Sequence, residues 1–177
     1  LLPKASVMMG VPTFYTRLLA EPSFTRQVAA GGRRGGAGSA PRLAETFRAF
    51  EACTGQRILE RYGLTEPGMN TSNPYAGPRI AGTVGRPLPG VELRIVDATG
   101  AACAPGVVGA IDVRGPNVFR GYWRMPDKTR ESIDADRWFR TGDLGQWTGD
   151  GYVAITGRAK DLIISGGLNI YPKEIEE

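Results

Sequence analysis

The segment YGLTE, from Tyr62 to Glu66, brings an aromatic ring, a glycine, a hydroxyl and a carboxylate together in one short stretch. If a strand runs into a tight turn at Tyr62-Gly63, Thr65 and Glu66 lie at its carboxyl end, where open α/β sheets bind ligands. The Thr65 hydroxyl can donate to a phosphate oxygen, the Glu66 carboxylate can hold Mg²⁺, and the Tyr62 ring can stack on a base. The alternative is a strand end at which Thr65 and Glu66 only cap a helix.

Two later segments carry groups that suit a nucleotide. Asp143, between glycines in RTGDLG, could accept both hydroxyls of a ribose from a tight turn, or it could be an ordinary turn aspartate. Arg158 and Lys160 follow a glycine in GRAKD, and Arg158 could pair with phosphate or ribose. The alternative is a strand with exposed basic residues. Gly166 and Gly167 further on would let a backbone or a thin chain approach closely.

Composition excludes several other classes of site. The chain has 177 residues, 41% hydrophobic and 23% charged, as in globular proteins. Its net charge of +4 is spread along the sequence, which argues against a nucleic-acid partner. Histidine is absent and the two cysteines are far apart, which argues against a zinc site and a Ser-His or Cys-His nucleophile. No apolar run approaches the roughly 20 residues of a membrane span, so we expect a cytoplasmic protein.

Helices and strands must position these groups. ASVMMGVP predicts a buried strand, and a helix opening at Pro12 should turn Phe14, Leu18 and Leu19 toward the core. The glycine-rich segment from Val28 to Ala40 predicts a loop, flexible at Gly31–Gly36. This loop lacks the G-x-x-x-x-G-K-[ST] pattern of a phosphate cradle.

The rest of the chain alternates between one more helix and many short strands. PRLAETFRAFEACTG predicts an amphipathic helix, and RILERYG predicts a short strand that leads into YGLTE. From Val84 onward the hydrophobic period is two, which predicts neighbouring antiparallel strands with one wet face. MPDKTRESI predicts a short helix, and WTGDGYVAIT predicts a hairpin that turns at TGDG.

The order of YGLTE, RTGDLG and GRAKDLIISGGLNIYPKEIEE resembles the acyl-adenylate-forming family, which includes acyl-CoA synthetases, peptide-synthetase adenylation domains and luciferase. The likeness runs from GVPTFY to the last residue, and RYGLTEPGMNTSNPY looks most like the malonyl-CoA synthetases. It implies an α/β fold. Residues 1–159 would form the C-terminal part of the large domain, a mixed sheet with helices plus a small antiparallel β-subdomain. Residues 160–177 would form the hinge and the start of the mobile C-terminal domain.

The chemistry that this resemblance implies has two steps. Malonate attacks the α-phosphate of ATP and releases pyrophosphate, with Mg²⁺ as the metal. The thiol of coenzyme A then displaces AMP from malonyl-AMP. Within these steps Thr65 would contact phosphate, Glu66 would hold Mg²⁺, and Lys160 would be the hinge between the two states.

The resemblance also implies binding roles. The residues assigned to ATP and AMP are Ser39, Ala40, Pro41, Tyr62, Gly63, Asp143, Arg158 and Asn169. Gly166 and Gly167 would border the coenzyme A channel. The second carboxylate of malonate needs a cationic partner, for which Arg48 and Arg42 are the candidates; the alternative for each is a solvent-exposed helix arginine.

Two parts of the family's machinery have no counterpart in the chain. These are the upstream phosphate loop rich in Thr, Ser and Gly and the catalytic lysine near the family's C-terminus. We therefore expect a piece of a longer protein that lacks N- and C-terminal portions and cannot adenylate malonate alone. Two other functions stay open: a ligase for another short- or medium-chain acid, and a non-catalytic remnant or nucleotide-binding module.

Overall fold

The fold is described by a computed structural model, which covers residues 7–30, 34–38, 43–165 and 168–170. It contains a mixed sheet with helices, an antiparallel sheet, and a short two-stranded ribbon. This arrangement confirms the α/β class. None of the helices in the described ranges has the length and apolar character that crossing a membrane requires.

The mixed sheet has five strands in the order β1-β2-β3-β4-β5. Its strands are β1 (Val7–Gly10), β2 (Arg34–Gly38), β3 (Ile58–Leu64), β4 (Gly68–Ser72) and β5 (Arg86–Pro87). The first three are parallel, and β4 and β5 run antiparallel to their neighbours. Three helices connect or follow these strands: α1 (Pro12–Ala20), α2 (Arg26–Ala29) and α3 (Leu43–Thr54).

The glycine-rich segment is not wholly a loop, so that prediction was wrong. Residues 26–29 form α2, and Arg34–Gly38 form β2, which pairs in parallel with β1 on one side and β3 on the other. Glycine weakens a strand because it adds no packing and loses much entropy. β2 still forms a strand because its parallel pairing with β1 and β3 satisfies its backbone hydrogen bonds. The composition of the segment alone does not reveal this pairing.

The helical side of this sheet is packed with aromatic residues. Tyr15, Phe24, Phe47, Phe50 and Ile58 form one buried cluster, and the Tyr15 and Phe50 rings meet edge to face with centroids 5.3 Å apart. The amphipathic character predicted for α3 is confirmed, since Phe47 and Phe50 on one of its sides are both buried.

The inward face predicted for α1 was partly wrong. Phe14 is 59% exposed and Tyr15 is fully buried. Tyr15, Leu18 and Leu19 satisfy the same helical spacing as the predicted set, so the pattern alone could not separate the two phases. The strand β1 was predicted to be buried, but its Val7 and Met9 side chains are exposed. Successive side chains of a strand point to opposite faces of the sheet, and only Met8 between them packs against the helical cluster.

The second sheet is antiparallel, as predicted. Its strands β6 (Glu92–Val96), β7 (Gly109–Arg114), β8 (Phe139–Trp147) and β9 (Val153–Arg158) pair in sequence order. The β8–β9 hairpin turns at Thr148–Tyr152, and α4 (Pro126–Ser132) is the predicted short helix. Inward-facing residues such as Ile95, Ile111 and Val153 form its core.

The two sheets are joined through Val84, whose backbone N–H donates to the Val153 carbonyl over 2.8 Å. This link brings the β3–β4 end of the mixed sheet next to β8 and β9. A 3-10 turn (Ala159–Asp161) follows β9 and leads to the ribbon of β10 (Ile163–Ser165) and β11 (Leu168–Ile170).

Candidate active site

The turn after β3 positions Thr65 and Glu66. The predicted tight turn at Tyr62-Gly63 was wrong: β3 continues to Leu64, and the turn spans residues 65–67 before β4 begins. The β3–β4 register shifts between Tyr62 and Gly63, as at a β-bulge. A Cβ at Gly63 would lie 2.4 Å from the Gly68 carbonyl oxygen, so this close strand approach requires glycine. Thr65 and Glu66 are thereby placed just beyond the carboxyl end of β3.

Tyr62 points into the protein interior. Its side chain is only 2% exposed, and its hydroxyl donates to Asp143 Oδ2 over 2.6 Å. Burial raises the pKa of Tyr62 far above its usual range, and the negative charge of Asp143 adds to that rise. Tyr62 is therefore a neutral hydrogen-bond donor that fixes one oxygen of the carboxylate.

Asp143 lies within β8 and not in the tight turn that RTGDLG predicted. The β7–β8 register shifts opposite Ile111, and the Thr141 hydroxyl fills the irregularity by donating to the Ile111 carbonyl and accepting from the Asp143 N–H. The extra residues of such a bulge re-aim a side chain while the strand continues. A bulge within the strand accounts for the presence of Gly142 and Gly145 as well as a tight turn would.

Asp143 is 4% exposed, and both oxygens of its carboxylate are held. Oδ2 accepts from Tyr62, and Oδ1 lies 3.2 Å from Nε of Arg158, which is opposite Asp143 on β9. Burial raises the pKa of Asp143, while the hydrogen bond from Tyr62 and the charge of Arg158 oppose that rise. Half of the Arg158 side chain (49%) stays exposed, so the pair has one buried and one accessible member.

Glu66 is the second carboxylate of the site, and it is less enclosed. The hydroxyl of Tyr122 donates to its Oε1 over 3.1 Å, and the Phe119 N–H donates to its backbone carbonyl over 3.0 Å. Burial raises the pKa of Tyr122, and the bond to Glu66 adds to the rise. The charge of Glu66 contributes to the raised pKa of Asp143, which places both carboxylates in one electrostatic environment.

A groove of about 590 Å³ lies along β3, β4 and the turn that connects them. Its lining comes from two strands and their turn: Arg61, Gly63, Leu64, Thr65, Gly68 and Met69. Sequence reasoning missed Arg61, although period two places it on the same strand face as Gly63. Its Nε is buried and has no hydrogen-bond partner among the described residues, so it is a cation suited to an anionic ligand.

Most of the polar segment after YGLTE serves packing. Gly68 and Met69 line the groove, whereas Asn70, Thr71 and Asn73 are buried. The Thr71 hydroxyl donates to the Val84 carbonyl, and the Asn73 amide donates to the carbonyls of Glu60 and Thr83. Thr71 and Asn73 are tolerated in the interior because both bond backbone carbonyls, and these bonds fix the loop behind the site. Asn70 Oδ1 instead accepts from the Asn117 amide over 3.1 Å.

The remaining predicted residues lie elsewhere or outside the described residues. Arg48 is on the exposed side of α3, and Lys160 is exposed in the 3-10 turn after Arg158. Asn169 lies in β11, where its backbone pairs with Ile164. Ser39, Ala40, Pro41, Arg42, Gly166 and Gly167 are outside the described residues.

The donor set fits Mg²⁺ only together with a ligand. Within the described ranges no three His, Cys, Asp or Glu side chains converge to form a metal centre. Mg²⁺ is usually held by one or two carboxylates plus phosphate oxygens and water. Glu66 suits that role, since Tyr122 bonds one of its oxygens and leaves the other to accept.

Comparison with known proteins identifies the family. The family model for AMP-binding enzymes matches residues 3–123, more than half of the chain. The chain therefore belongs to the AMP-binding enzyme family. Among curated proteins it is 42% identical to a malonate–CoA ligase of Arabidopsis thaliana, over 97% of this chain and 29% of that protein. It is 44% identical to a sulfoacetate–CoA ligase of Cupriavidus necator, over 94% of this chain and 33% of that protein.

Comparison with solved structures gives a similar result. The chain is 56% identical to ATP-bound MatB from Rhodopseudomonas palustris, with a TM-score of 0.92 over 97% of this chain and 34% of that one. More distant relatives include a long-chain-fatty-acid–CoA ligase of Yersinia pestis at 37% identity. The chain spans about a third of the length of the proteins it matches.

Proposed function

We propose that this chain supplies the nucleotide-binding part of an ATP-dependent acid–CoA ligase that converts malonate, ATP and coenzyme A to malonyl-CoA, AMP and pyrophosphate. The observation that carries the proposal is the Asp143–Arg158 pair, which is bonded to Tyr62 of β3, the strand whose carboxyl end leads to Thr65 and Glu66. Acid–CoA ligases among the relatives support the reaction class.

Asp143 is suited to bind the ribose of the nucleotide. Each oxygen of an ionised carboxylate has two lone pairs, so Asp143 can accept from two ribose hydroxyls after bonding Tyr62 and Arg158. Because the Tyr62 ring is almost fully buried, we assign it to holding Asp143. Its stacking on adenine stays a prediction.

The first chemical step takes place at the α-phosphate. A carboxylate oxygen of the acid bonds to the α-phosphorus, the bond to the bridging oxygen breaks, and pyrophosphate leaves with that electron pair. Thr65, exposed in the turn, can donate to a phosphate oxygen, and Glu66 can hold Mg²⁺ beside it. Bound Mg²⁺ neutralises charge that develops on the phosphates. In the second step the thiolate of coenzyme A bonds to the acyl carbon, the bond from that carbon to the AMP oxygen breaks, and AMP leaves with that electron pair.

Malonate is favoured by the positive charge in the groove. Malonate and sulfoacetate each carry a second anionic group, which would be costly to bury unpaired, and Arg61 lines the groove beside Thr65. Both ligases are among the relatives. A ligase for a longer acid is the second candidate, supported by the fatty-acid relatives.

The nucleotide assignment is tested by calorimetry on the isolated chain. AMP and 2′,3′-dideoxy-AMP differ only in the ribose hydroxyls that Asp143 would accept. Two charge-assisted hydrogen bonds predict that AMP binds about 100-fold more tightly. Equal affinities, or no binding of either ligand, would contradict the proposal.

The acid is tested in a chimera in which this chain replaces the matching third of Rhodopseudomonas palustris MatB. Arg61→Leu should lower kcat/KM for malonate by about 100-fold, as expected for the loss of a buried counter-charge, and should affect butyrate little. The matched control is Arg17→Leu on the exposed side of α1, which should change neither value. Equal losses in the two variants, or a preference for butyrate in the unsubstituted chimera, would overturn the malonate assignment.

A further inference from the structure

A segment distant from YGLTE holds the β3–β4 turn in place. We name residues 115–122, which follow β7, the brace. The Asn117 amide donates to the Pro67 carbonyl over 2.6 Å, and the Phe119 N–H donates to the Glu66 carbonyl over 3.0 Å. The Tyr122 hydroxyl donates to Glu66 Oε1 over 3.1 Å. Two of these bonds fix the backbone of the turn, and the third fixes the carboxylate itself.

The brace presents Tyr122 from a rigid base. The Thr129 hydroxyl of α4 accepts from the Tyr122 N–H over 2.9 Å and donates to the Met125 carbonyl. The Tyr122 ring meets the Phe119 ring edge to face at 4.8 Å. A Cβ at Gly121 would lie 2.6 Å from the Thr129 methyl carbon, so the segment lies directly against the helix. The backbone and the ring of Tyr122 are therefore both held in place, and its hydroxyl bonds Glu66 from a fixed position.

The bond from Tyr122 engages only one oxygen of Glu66. Among the described residues no hydrogen bond is made to Oε2. A glutamate in a turn otherwise samples several rotamers, and ordering them costs free energy when a ligand binds. A donor that fixes Oε1 removes part of that cost and leaves Oε2 available in one orientation.

We propose that Tyr122 is a positioning residue that holds the Glu66 carboxylate ready for the Mg²⁺ that accompanies ATP. The proposal rests on the proposed function, since it takes Glu66 as the metal ligand. Partners that orient a metal ligand typically change metal affinity by about 10- to 100-fold when they are removed. Tyr122 should act on the metal and not on the binding of AMP, whose ribose is assigned to Asp143.

The test is Tyr122→Phe, which removes the hydroxyl and keeps the ring against Phe119. ATP binding to the isolated chain is measured by calorimetry across a range of Mg²⁺ concentrations. We expect the Mg²⁺ concentration for half-maximal enhancement of ATP binding to rise by about 10-fold. AMP affinity without metal should stay within about 2-fold, which a general loss of structure would not allow. Tyr152→Phe, which removes a hydroxyl bonded to the Pro78 carbonyl, is the matched control and should leave the Mg²⁺ response unchanged.

Glu66→Gln separates this inference from the proposed function. If Glu66→Gln abolishes the Mg²⁺ response and Tyr122→Phe leaves it unchanged, the role of Tyr122 is wrong while the metal site stands. If Glu66→Gln leaves the response unchanged, or ATP does not bind, the proposed metal site itself fails.

The Tyr122–Glu66 contact can also be tested without any ligand. A double-mutant cycle on the free energy of unfolding should find the Tyr122→Phe and Glu66→Ala effects coupled. Additive effects would overturn the contact on which the inference depends.

Discussion

The site contains two carboxylates, Asp143 and Glu66, that differ in burial and in hydrogen bonding. Asp143 is inside a strand, almost fully buried, and bonded on both oxygens by Tyr62 and Arg158. Glu66 is in a turn, half-buried, and bonded on one oxygen by Tyr122. The difference matches the ligands that we propose for them. A ribose needs two fixed acceptors, whereas a hydrated metal needs an oxygen that solvent and phosphate can reach.

The largest expected effect of this difference concerns AMP. Asp143→Ala should weaken AMP binding by about 100-fold because two charge-assisted hydrogen bonds are lost. Glu66→Ala should weaken metal-free AMP binding by less than about 3-fold, since Glu66 is assigned to the metal that accompanies ATP. Calorimetry on the two variants measures both. Similar losses would mean that the two carboxylates do not have separate ligands.

The second effect concerns stability. Tyr62→Phe leaves the buried Asp143 carboxylate without one of its donors and should lower the free energy of unfolding by about 1–3 kcal/mol. Tyr122→Phe should lower it by less than about 1 kcal/mol, because Glu66 can turn to water. Urea unfolding measures the difference. A larger loss in Tyr122→Phe would reverse the comparison.

A third effect is the pH dependence that burial gives to Asp143. Burial raises its pKa in the folded state, so the native protein binds a proton more readily than the unfolded chain. Stability due to Asp143 should therefore rise as the pH falls from above its folded pKa toward its unfolded pKa. As the pH falls through that window, the free energy of unfolding of the wild type minus that of Asp143→Asn should increase.

Asp97 is a control of opposite sign for the pH experiment. The hydrogen bond from the Thr99 hydroxyl, with backbone N–H bonds, lowers the pKa of Asp97. Stability due to Asp97 is present above its unfolded pKa and is lost as the pH falls. The difference between the wild type and Asp97→Asn should therefore decrease toward acid. Equal slopes in the two experiments would contradict the burial of Asp143.

The smallest effect is expected at Arg158. Because half of its side chain is exposed, water and salt screen its pair with Asp143. Arg158→Gln should weaken AMP binding by about 3-fold at low salt, and the loss should shrink as salt is added. A loss as large as that of Asp143→Ala would show that Arg158 contacts the nucleotide more directly than we infer.

Sequence patterns predicted the antiparallel sheet well, because its strands pair with neighbours in sequence and alternate with period two. They failed at β2, whose glycines show no strand preference and whose structure depends on β1 and β3. The site's residue types were predicted from YGLTE, RTGDLG and GRAKD. The position of Thr65 and Glu66 at the carboxyl end of a strand was predicted as well. The two bulges and the buried Tyr62 were not, because they depend on contacts between strands.

Arg61 and Tyr122 show what short motifs omit. Arg61 directly precedes YGLTE, but only the strand's alternation and the groove reveal that it faces the ligand side. Tyr122 is 56 residues away from Glu66 in the chain. No local pattern could have linked the two, because their contact is made by the packing of the brace on the β3–β4 turn.

A crystal structure of the chain with AMP bound tests the central claim most directly. We expect both ribose hydroxyls within hydrogen-bond distance of Asp143 and the phosphate next to Thr65 and Glu66. Nucleotide bound at another surface, with no hydrogen bond between its ribose and Asp143, would contradict it.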